Sequence, residues 1–461
     1  MKETTLTRTE RRAAGSLAGI FGLRMFGLFL LYPVFASYEG KLPGATHAAI
    51  GIALGIYGLT QALLQLPLGM LSDRWGRKPI IAFGLLVFIA GSVIAALSHG
   101  MAGIIIGRAI QGVGAVGAAT LALAADLTRP EQRTKAIGMI GGGIGLAFGI
   151  AVVTGPAVNT FVGLSGIFWL TAALGGLGLV VLYWAVPSPQ HKFRHRSTEA
   201  VPAQLGRVLK DSALQRMYVS IFMLHLILVA LFLVLPGLLG QVAGLSRRSE
   251  WLFYLPVLAV GLVLMVPAVI HAERRGRLKL VSMGTILLLA LTPVWLRLGG
   301  GHLIALAAIL AVFFGAFTLM EALLPSLISR LAHPASKGSA LGVYSTSQFF
   351  GIFVGGALGG WLLQHAGRDG LYVLVLLAGL LWLAFFAGLK PPRMLSSRMV
   401  SVSVPDEVAA QSMSAALERI AGVEEAVVMA DEGVAVLRVR SGQLDEAGLE
   451  GVLAGAGGAA V

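Results

Sequence analysis

Apolar residues in this chain come in long blocks, with the polar residues gathered between them. A helix that crosses a bilayer needs about 20 mostly apolar residues. Twelve blocks meet that length: 16–37, 48–72, 78–97, 101–125, 134–158, 164–186, 217–240, 249–271, 278–297, 302–328, 338–363 and 370–389. The longest connection, 187–216, is basic (Lys192, Arg194, Arg196, Arg207, Lys210) and divides the blocks into two halves, 1–186 and 217–389. After Lys390-Pro391-Pro392 the pattern changes. A linker, 390–398, leads to a segment, 399–461, with shorter periods. Met399 to Val404 reads as a strand, and Glu407 to Ala421 as a helix with Met413, Leu417 and Ile420 on one face. Ala426 to Met429 and Val434 to Val439 read as a hairpin turning at Asp431-Glu432-Gly433. Leu444 to Leu453 reads as a second helix, and Ala459 to Val461 as a short last strand. The fold expected is an all-α polytopic membrane protein, with 12 transmembrane helices in two six-helix halves. A small α+β, ferredoxin-like domain follows as a soluble cytoplasmic unit.

Composition strengthens the membrane reading. Of 461 residues, 56% are hydrophobic and 12% charged, against about 25% charged in soluble domains. There is no cysteine, which excludes disulfides, thiolate chemistry and the Cys-x-x-Cys pair of metal-carrying domains; no metal or cofactor is expected. The basic start (Lys2, Arg8, Arg11, Arg12) resembles a signal peptide, but the apolar run to Ala36 is too long for one and lacks a clear cleavage site. Charge is unevenly divided. Residues 1–398 hold 32 Lys/Arg and 12 Asp/Glu, whereas 399–461 hold 3 and 10. Of the basic residues, 25 fall at the amino end, in the even-to-odd connections and after the last block, and five in the opposite connections. The positive-inside rule therefore puts both termini in the cytoplasm. The basic excess belongs to membrane loops, so nucleic acid is not an expected partner; the lipid bilayer is.

Between the second and third blocks stands Gly69-Met70-Leu71-Ser72-Asp73-Arg74-Trp75-Gly76-Arg77-Lys78. Asp73-Arg74-Trp75-Gly76-Arg77 recurs 200 positions later as Glu273-Arg274-Arg275-Gly276-Arg277, in the matching loop of the second half. Pro130, Arg133, Ala136 and Gly138 recur as Pro334, Lys337, Ala340 and Gly342, offset by 204. Two parallel repeats are the plan of a rocking transporter. The Gly-x-Leu-x-Asp-Arg-x-Gly-Arg-Lys loop resembles the signature loop of the major facilitator superfamily. Gly22-Leu23-Arg24-Met25, Gly107 to Gly112, Met320 to Ser326 and Gly342 to Gln348 resemble inner-membrane members that carry a soluble ferredoxin-like tail. The group is similar to proton-driven drug antiporters, although their Gly-Pro-x-x-Gly-Gly is half present here: Asn159 and Thr160 follow Gly155-Pro156.

The resemblance implies a monomeric secondary transporter in the bacterial inner membrane that moves a small molecule, with protons, by alternating access. It also implies a latch, in which Asp73 meets the amino end of span eleven at Lys337-Gly338-Ser339-Ala340. A helix amino end attracts carboxylates. Arg77, Asp126, Arg133, and Glu273 with Arg277 in the copy, would form a charge relay; alternatively these charges set topology and anchor headgroups. Within the spans, ionisable groups are costly and functional by default. Glu321 and His225 sit at comparable depth and are proton-carrier candidates, or else a fixed buried pair. Arg108 and Arg24 would attract an anionic substrate, tune a carboxylate, or bond backbone carbonyls. By resemblance Arg108 is the arginine of a second signature motif, tied to proton coupling. Gln111, Tyr32, Tyr344 and Gln348 are cavity candidates. The glycine stripes at Gly141–Gly149 and Gly351–Gly360 lack the Lys-Ser/Thr of a phosphate loop and suit close helix packing. No nucleophile–base constellation points to an enzyme. A proton-independent facilitator, and a sensor whose tail binds a cytoplasmic ligand or partner, are the alternatives.

Overall fold

The computed structural model describes residues 5–129, 132–188, 202–243, 249–333, 336–389, 395–402, 404, 406–430, 433–440 and 443–455. Pro130, Pro334, residues 189–201 of the central connection with Lys192, Arg194 and Arg196, residues 431–432 and the last strand expected at 459–461 lie outside the described residues. Ten of the described helices are long and apolar enough to cross a membrane.

The first half comprises α1 (Arg8–Phe29), α2 (Tyr32–Phe35), α3 (His47–Trp75), α4 (Arg77–Leu97), α5 (Met101–Val113), α6 (Gly117–Asp126) and α7 (Arg133–Trp184). The second comprises α8 (Pro202–Lys210), α9 (Ser212–Phe232), α10 (Leu235–Ala243), α11 (Trp251–Arg274), α12 (Leu278–Gly299), α13 (Leu303–Leu331) and α14 (Lys337–Ala387). Helix α1 begins eight residues ahead of its apolar block because Thr7 and Glu10 form a capping box. The same Glu10 carboxylate accepts Nε–H and Nη2–H of Arg129, at 2.9 and 3.0 Å, tying the start of α1 to the end of α6. Helices α7 and α14 run 52 and 51 residues and break at Gly163 (φ 66°, ψ −175°) and Gly367 (φ 65°, ψ −163°). That region of backbone space is open to glycine alone. The two glycines are 204 positions apart, the offset of the second repeat.

Helices α3 and α14 pack antiparallel along much of their length and join the halves. A Cβ on Gly51 would stand 2.1 Å from the Gly356 carbonyl oxygen, one on Gly55 2.7 Å from that of Phe353, and one on Gly58 2.4 Å from that of Phe349. At this end the two backbones touch, so Gly51→Val is expected to separate the helices there. Overpacking costs about 1–3 kcal/mol, readable as a lower melting temperature in detergent together with a longer distance between spin labels on α3 and α14. An unchanged distance would mean that the seam yields elsewhere.

The two glycine stripes differ. Gly351, Gly355 and Gly360 each press on a carbonyl of α9 or α3, as expected for close packing. Gly141, Gly142, Gly145 and Gly149 have no heavy atom within 4 Å of where a Cβ would stand. The expectation of close packing is met at Gly143, where a Cβ would stand 3.3 Å from the Ala18 carbonyl oxygen of α1, and is corrected for the other four: their face of α7 is open, because α7 meets α11 over a short stretch only.

The tail folds as β1 (Leu395–Ser401), α15 (Glu407–Glu418), β2 (Val423–Met429), β3 (Val434–Arg440) and α16 (Glu446–Gly455), with antiparallel sheet order β1-β3-β2. Val400, Leu417, Leu437 and Leu449 are in its own apolar core. Strand β1 starts four residues before the expected Met399, inside the segment read as linker. Its ladder with β3 extends back to Leu395 opposite Arg440, and backbone pairing does not need the apolar alternation that Ser396, Ser397 and Arg398 lack.

Candidate functional site

The signature loop is a built charge cluster. Gly76 turns the chain at φ 97°, a left-handed conformation that favours glycine. The turn aims Arg77 back under α3. Its guanidinium is 8% exposed; it bonds the Asp73 carboxylate and the Ser72 hydroxyl, and reaches Asp126 Oδ2 on α6 at 3.1 Å. Lys78 donates to the Val186 carbonyl at 2.6 Å, just past the end of α7. Gly69 is held close to α6, where a Cβ would meet that of Ala118 at 2.9 Å. Leu71 is half-buried and Arg74 exposed. Arg133 is buried at the start of α7. The copy in the second half differs: Arg277 is exposed and pairs with no carboxylate among the described residues, and the side chain of Glu273 lies outside the description.

The register of α3 on α14 runs from Gly51 beside Gly356 and Gly360, through Gly58 beside Phe349, to Leu66 beside Gly342. Two further turns along α3 lead from Leu66 to Asp73, while one turn back along α14 leads from Gly342 to Ser339 and Gly338. Both lie toward the amino end of α14, where Ser339 and Ala340 are fully buried, Lys337 and Gly338 half-buried, and Ser336 caps the helix without a side-chain bond.

Inside the bundle, α9, α13 and α14 bring His225, Glu321 and Gln348 together. His225 donates from Nδ1 to the Ile221 carbonyl (3.2 Å) and accepts at Nε2 from the Gln348 amide (2.8 Å); this tautomer is the one that network assigns. Glu321 Oε1 is 3.5 Å from the same Nε2 and accepts no hydrogen bond, and the carboxylate side chain is 31% exposed. Tyr344 is buried nearby on α14, one turn before Gln348, with its hydroxyl unpartnered. In the first half Arg24 donates to Gln61 Oε1 (2.8 Å), while Arg108 donates to the Ala53 carbonyl (3.1 Å) and to Gln111 Oε1 (3.0 Å). Gln111 in turn donates to the Ser92 hydroxyl at 2.7 Å.

Rings join the two groups across the halves. Tyr32 and Phe232 lie 5.6 Å apart, Phe29 and Phe148 5.1 Å, and Phe148 and Phe317 5.5 Å, with His225 5.8 Å from Phe317. This buried aromatic layer was not singled out in the sequence, since phenylalanine in a span fits lipid equally well. Gln61 and Gln65 were legible as amides inside an apolar block.

The tail also touches the bundle, a contact that no local sequence pattern announces. Arg438 on β3 donates to the carbonyls of Arg330 (2.8 Å) and Ala332 at the end of α13, and Glu425 on β2 pairs with His333 (2.9 Å) and Arg438 (3.1 Å). The bond from His333 holds the Glu425 carboxyl below its usual range; burial opposes this, and Arg438 adds to it. A carboxyl with a depressed folded pKa supports its contact above the ordinary carboxylate range and loses it as pH falls through that range. Protection of 325–333 from hydrogen exchange, taken relative to the intrinsic rate at each pH, is therefore expected to fall in acid, and Glu425→Gln to give the low protection already at pH 7. High, pH-independent protection in the variant would remove Glu425 from the contact.

A two-part helical bundle with buried ionisable groups between its parts, and a charged hairpin at one end, defines a membrane transport protein, and the chain belongs to the Major Facilitator Superfamily, whose model matches residues 17–352 and 249–411. It is 40% identical over 442 residues to the inner membrane transport protein YajR of Escherichia coli (strain K12), covering 96% of this chain and 97% of that one. The multidrug resistance protein MdtH of Aeromonas hydrophila is 28% identical over 368 residues, 78% of this chain and 88% of its own. The crystal structure of the human organic anion transporter MFSD10 superposes with a TM-score of 0.62 over 82% of this chain and 100% of that chain, at 17% identity, a likeness of fold. Members of this family are transporters, not enzymes.

Proposed function

We propose that the chain is a proton-coupled secondary transporter of a small molecule, working by alternating access in a bacterial inner membrane with both termini cytoplasmic. Counting α7 and α14 as two rods each makes twelve spans, and the βαββα order of the tail fits a ferredoxin-like domain. The observation that carries the reading is Glu321: a carboxylate deep in α13, partly exposed, its Oε1 without a hydrogen bond among the described residues, and beside His225. Such a group takes and releases a proton as its surroundings change. Proton and cargo then bias the same two-state equilibrium through their different affinities for each state. The tight contact of α3 with α14 at Gly51–Gly360 and the aromatic layer support a state closed on the outer side. The register toward Ser339 supports Asp73 as a latch on the amino end of α14, with Arg77, Asp126 and Arg133 as its relay. Resemblance to multidrug resistance proteins favours export. Flux in proteoliposomes with and without a pH gradient tests the reading, and equal flux in both would leave a facilitator.

A second reading concerns regulation. The contact of Arg438 and Glu425 with residues 330–333 supports a tail that holds the loop leading into α14. Release of residues 399–461 would then alter the transport rate, and unchanged flux in the truncated protein would leave the tail without that role.

A further inference from the structure

The first half holds two guanidinium groups with no carboxylate beside them among the described residues. Arg24 on α1 and Arg108 on α5 are each 1% exposed, and both lie over the Tyr57 ring, at 5.6 and 4.9 Å from its centroid. Buried cations ordinarily pair with anions, yet every acceptor here is neutral. The two arginines also differ. Arg108 commits all three nitrogens, to Ala53, Gln111 and, at 3.5 Å, Leu54. Arg24 commits Nη2 alone; its Nε and Nη1 reach no acceptor, and the Tyr57 and Tyr32 hydroxyls, fully buried, also have no partner. Unmet buried donors are costly to leave so, and they carry positive charge.

We propose that Arg24 receives the carboxylate of a monoanionic aromatic cargo, an inference that rests on the transporter reading above. One anionic group matches the single guanidinium with uncommitted donors, and Arg108 adds a fixed positive field. Ring contacts supply the body of the site: Tyr32 is 5.6 Å from both Phe29 and Phe232, and Tyr57 6.3 Å from Phe349. Phe349 adjoins Gln348, which holds His225 beside Glu321. The ring that faces Tyr57 and the amide that holds His225 are therefore neighbours along α14, a path through Tyr57 by which cargo and proton sense each other.

Calorimetric binding to the purified full-length protein tests this with three probes of one shape: 2-naphthoate, 2-naphthamide and 2-naphthylmethylammonium. Naphthoate is expected to bind about tenfold or more tightly than the other two, the worth of a charge-assisted bond. Arg24→Gln removes that preference. Should that variant not fold, Arg24→Lys is expected to keep the preference with naphthoate weakened about tenfold, because an ammonium lacks the planar fork. Equal binding of the three probes, absent naphthoate binding, or naphthoate affinity unmoved by Arg24→Lys would overturn the proposal. Counterflow in proteoliposomes separates it from the transporter reading. Naphthoate that binds through Arg24 without crossing keeps the site and sinks transport of this cargo; proton-driven flux of other probes without naphthoate binding sinks the site and keeps transport.

Discussion

Glu321→Gln is expected to abolish the dependence of flux on a proton gradient while leaving cargo-for-cargo exchange in place. The substitution keeps size and polarity and removes only the capacity to gain and lose a proton. With one proton per cargo, a gradient of one pH unit sustains about tenfold accumulation, since one unit is worth about 1.4 kcal/mol. In Glu321→Gln the ratio is expected to fall to about one, measured as steady-state accumulation in proteoliposomes. His225 accepts from Gln348 and bonds Ile221, so His225→Gln is expected to lower the rate and shift the pH profile without erasing it. A pH profile that survives in Glu321→Gln would remove this carboxylate as the carrier.

The second large effect is at Arg77. Its guanidinium stands between two carboxylates, Asp73 and Asp126, themselves 18% and 10% exposed. Arg77→Gln leaves two partly buried anions with no cation between them, and removing one member of a buried ion pair costs about 3–5 kcal/mol. The melting temperature in detergent is expected to drop by several degrees. Arg277→Gln, at the exposed copy, should change stability by no more than about 0.5 kcal/mol. Asp73→Asn, which keeps the Arg77 contact in weaker form, is expected to lengthen spin-label distances across the end of α14. Equal melting temperatures for the Arg77 and Arg277 variants would mean that the first cluster is no tighter than its copy.

How far the sequence carried depended on cost. Apolar blocks and charged turns are written plainly, because a bilayer tolerates no alternative. Glu321, His225, Arg24 and Arg108 stood out for the same reason, and the structure brings them together in two groups at the join of the halves. The asymmetry between Arg77 and Arg277 did not show, since both loops repeat an acid, an arginine, a glycine and an arginine at the same spacing, and the burial of Arg77 against Asp126 of α6 is a tertiary contact. The open glycine face of α7 was misread because a stripe of small residues looks alike whether or not a neighbour fills it. Strand β1 hid behind Pro391-Pro392 and three polar residues, its start set by the length of β3. Contacts between Arg438 and the end of α13 depend on docking, which no local pattern encodes.

Gly163 has a mechanical consequence. The two rods of α7 meet at a corner without slack, so they turn together as one bracket. Both feet of the bracket stand near the signature loop: Arg133 begins one, while Trp184 and Val186 at the other are gripped by Arg12 and Lys78. The loop, the bracket and the helices between them form a closed linkage, in which a push at one foot returns at the other. The bracket made by α14 is gripped at its far foot by Arg216, through the Phe385 carbonyl, while its near foot follows the loop to which the tail is fastened. One half of the molecule is thus braced on itself, and the other is fastened at its near foot to the tail through Arg438 and Glu425.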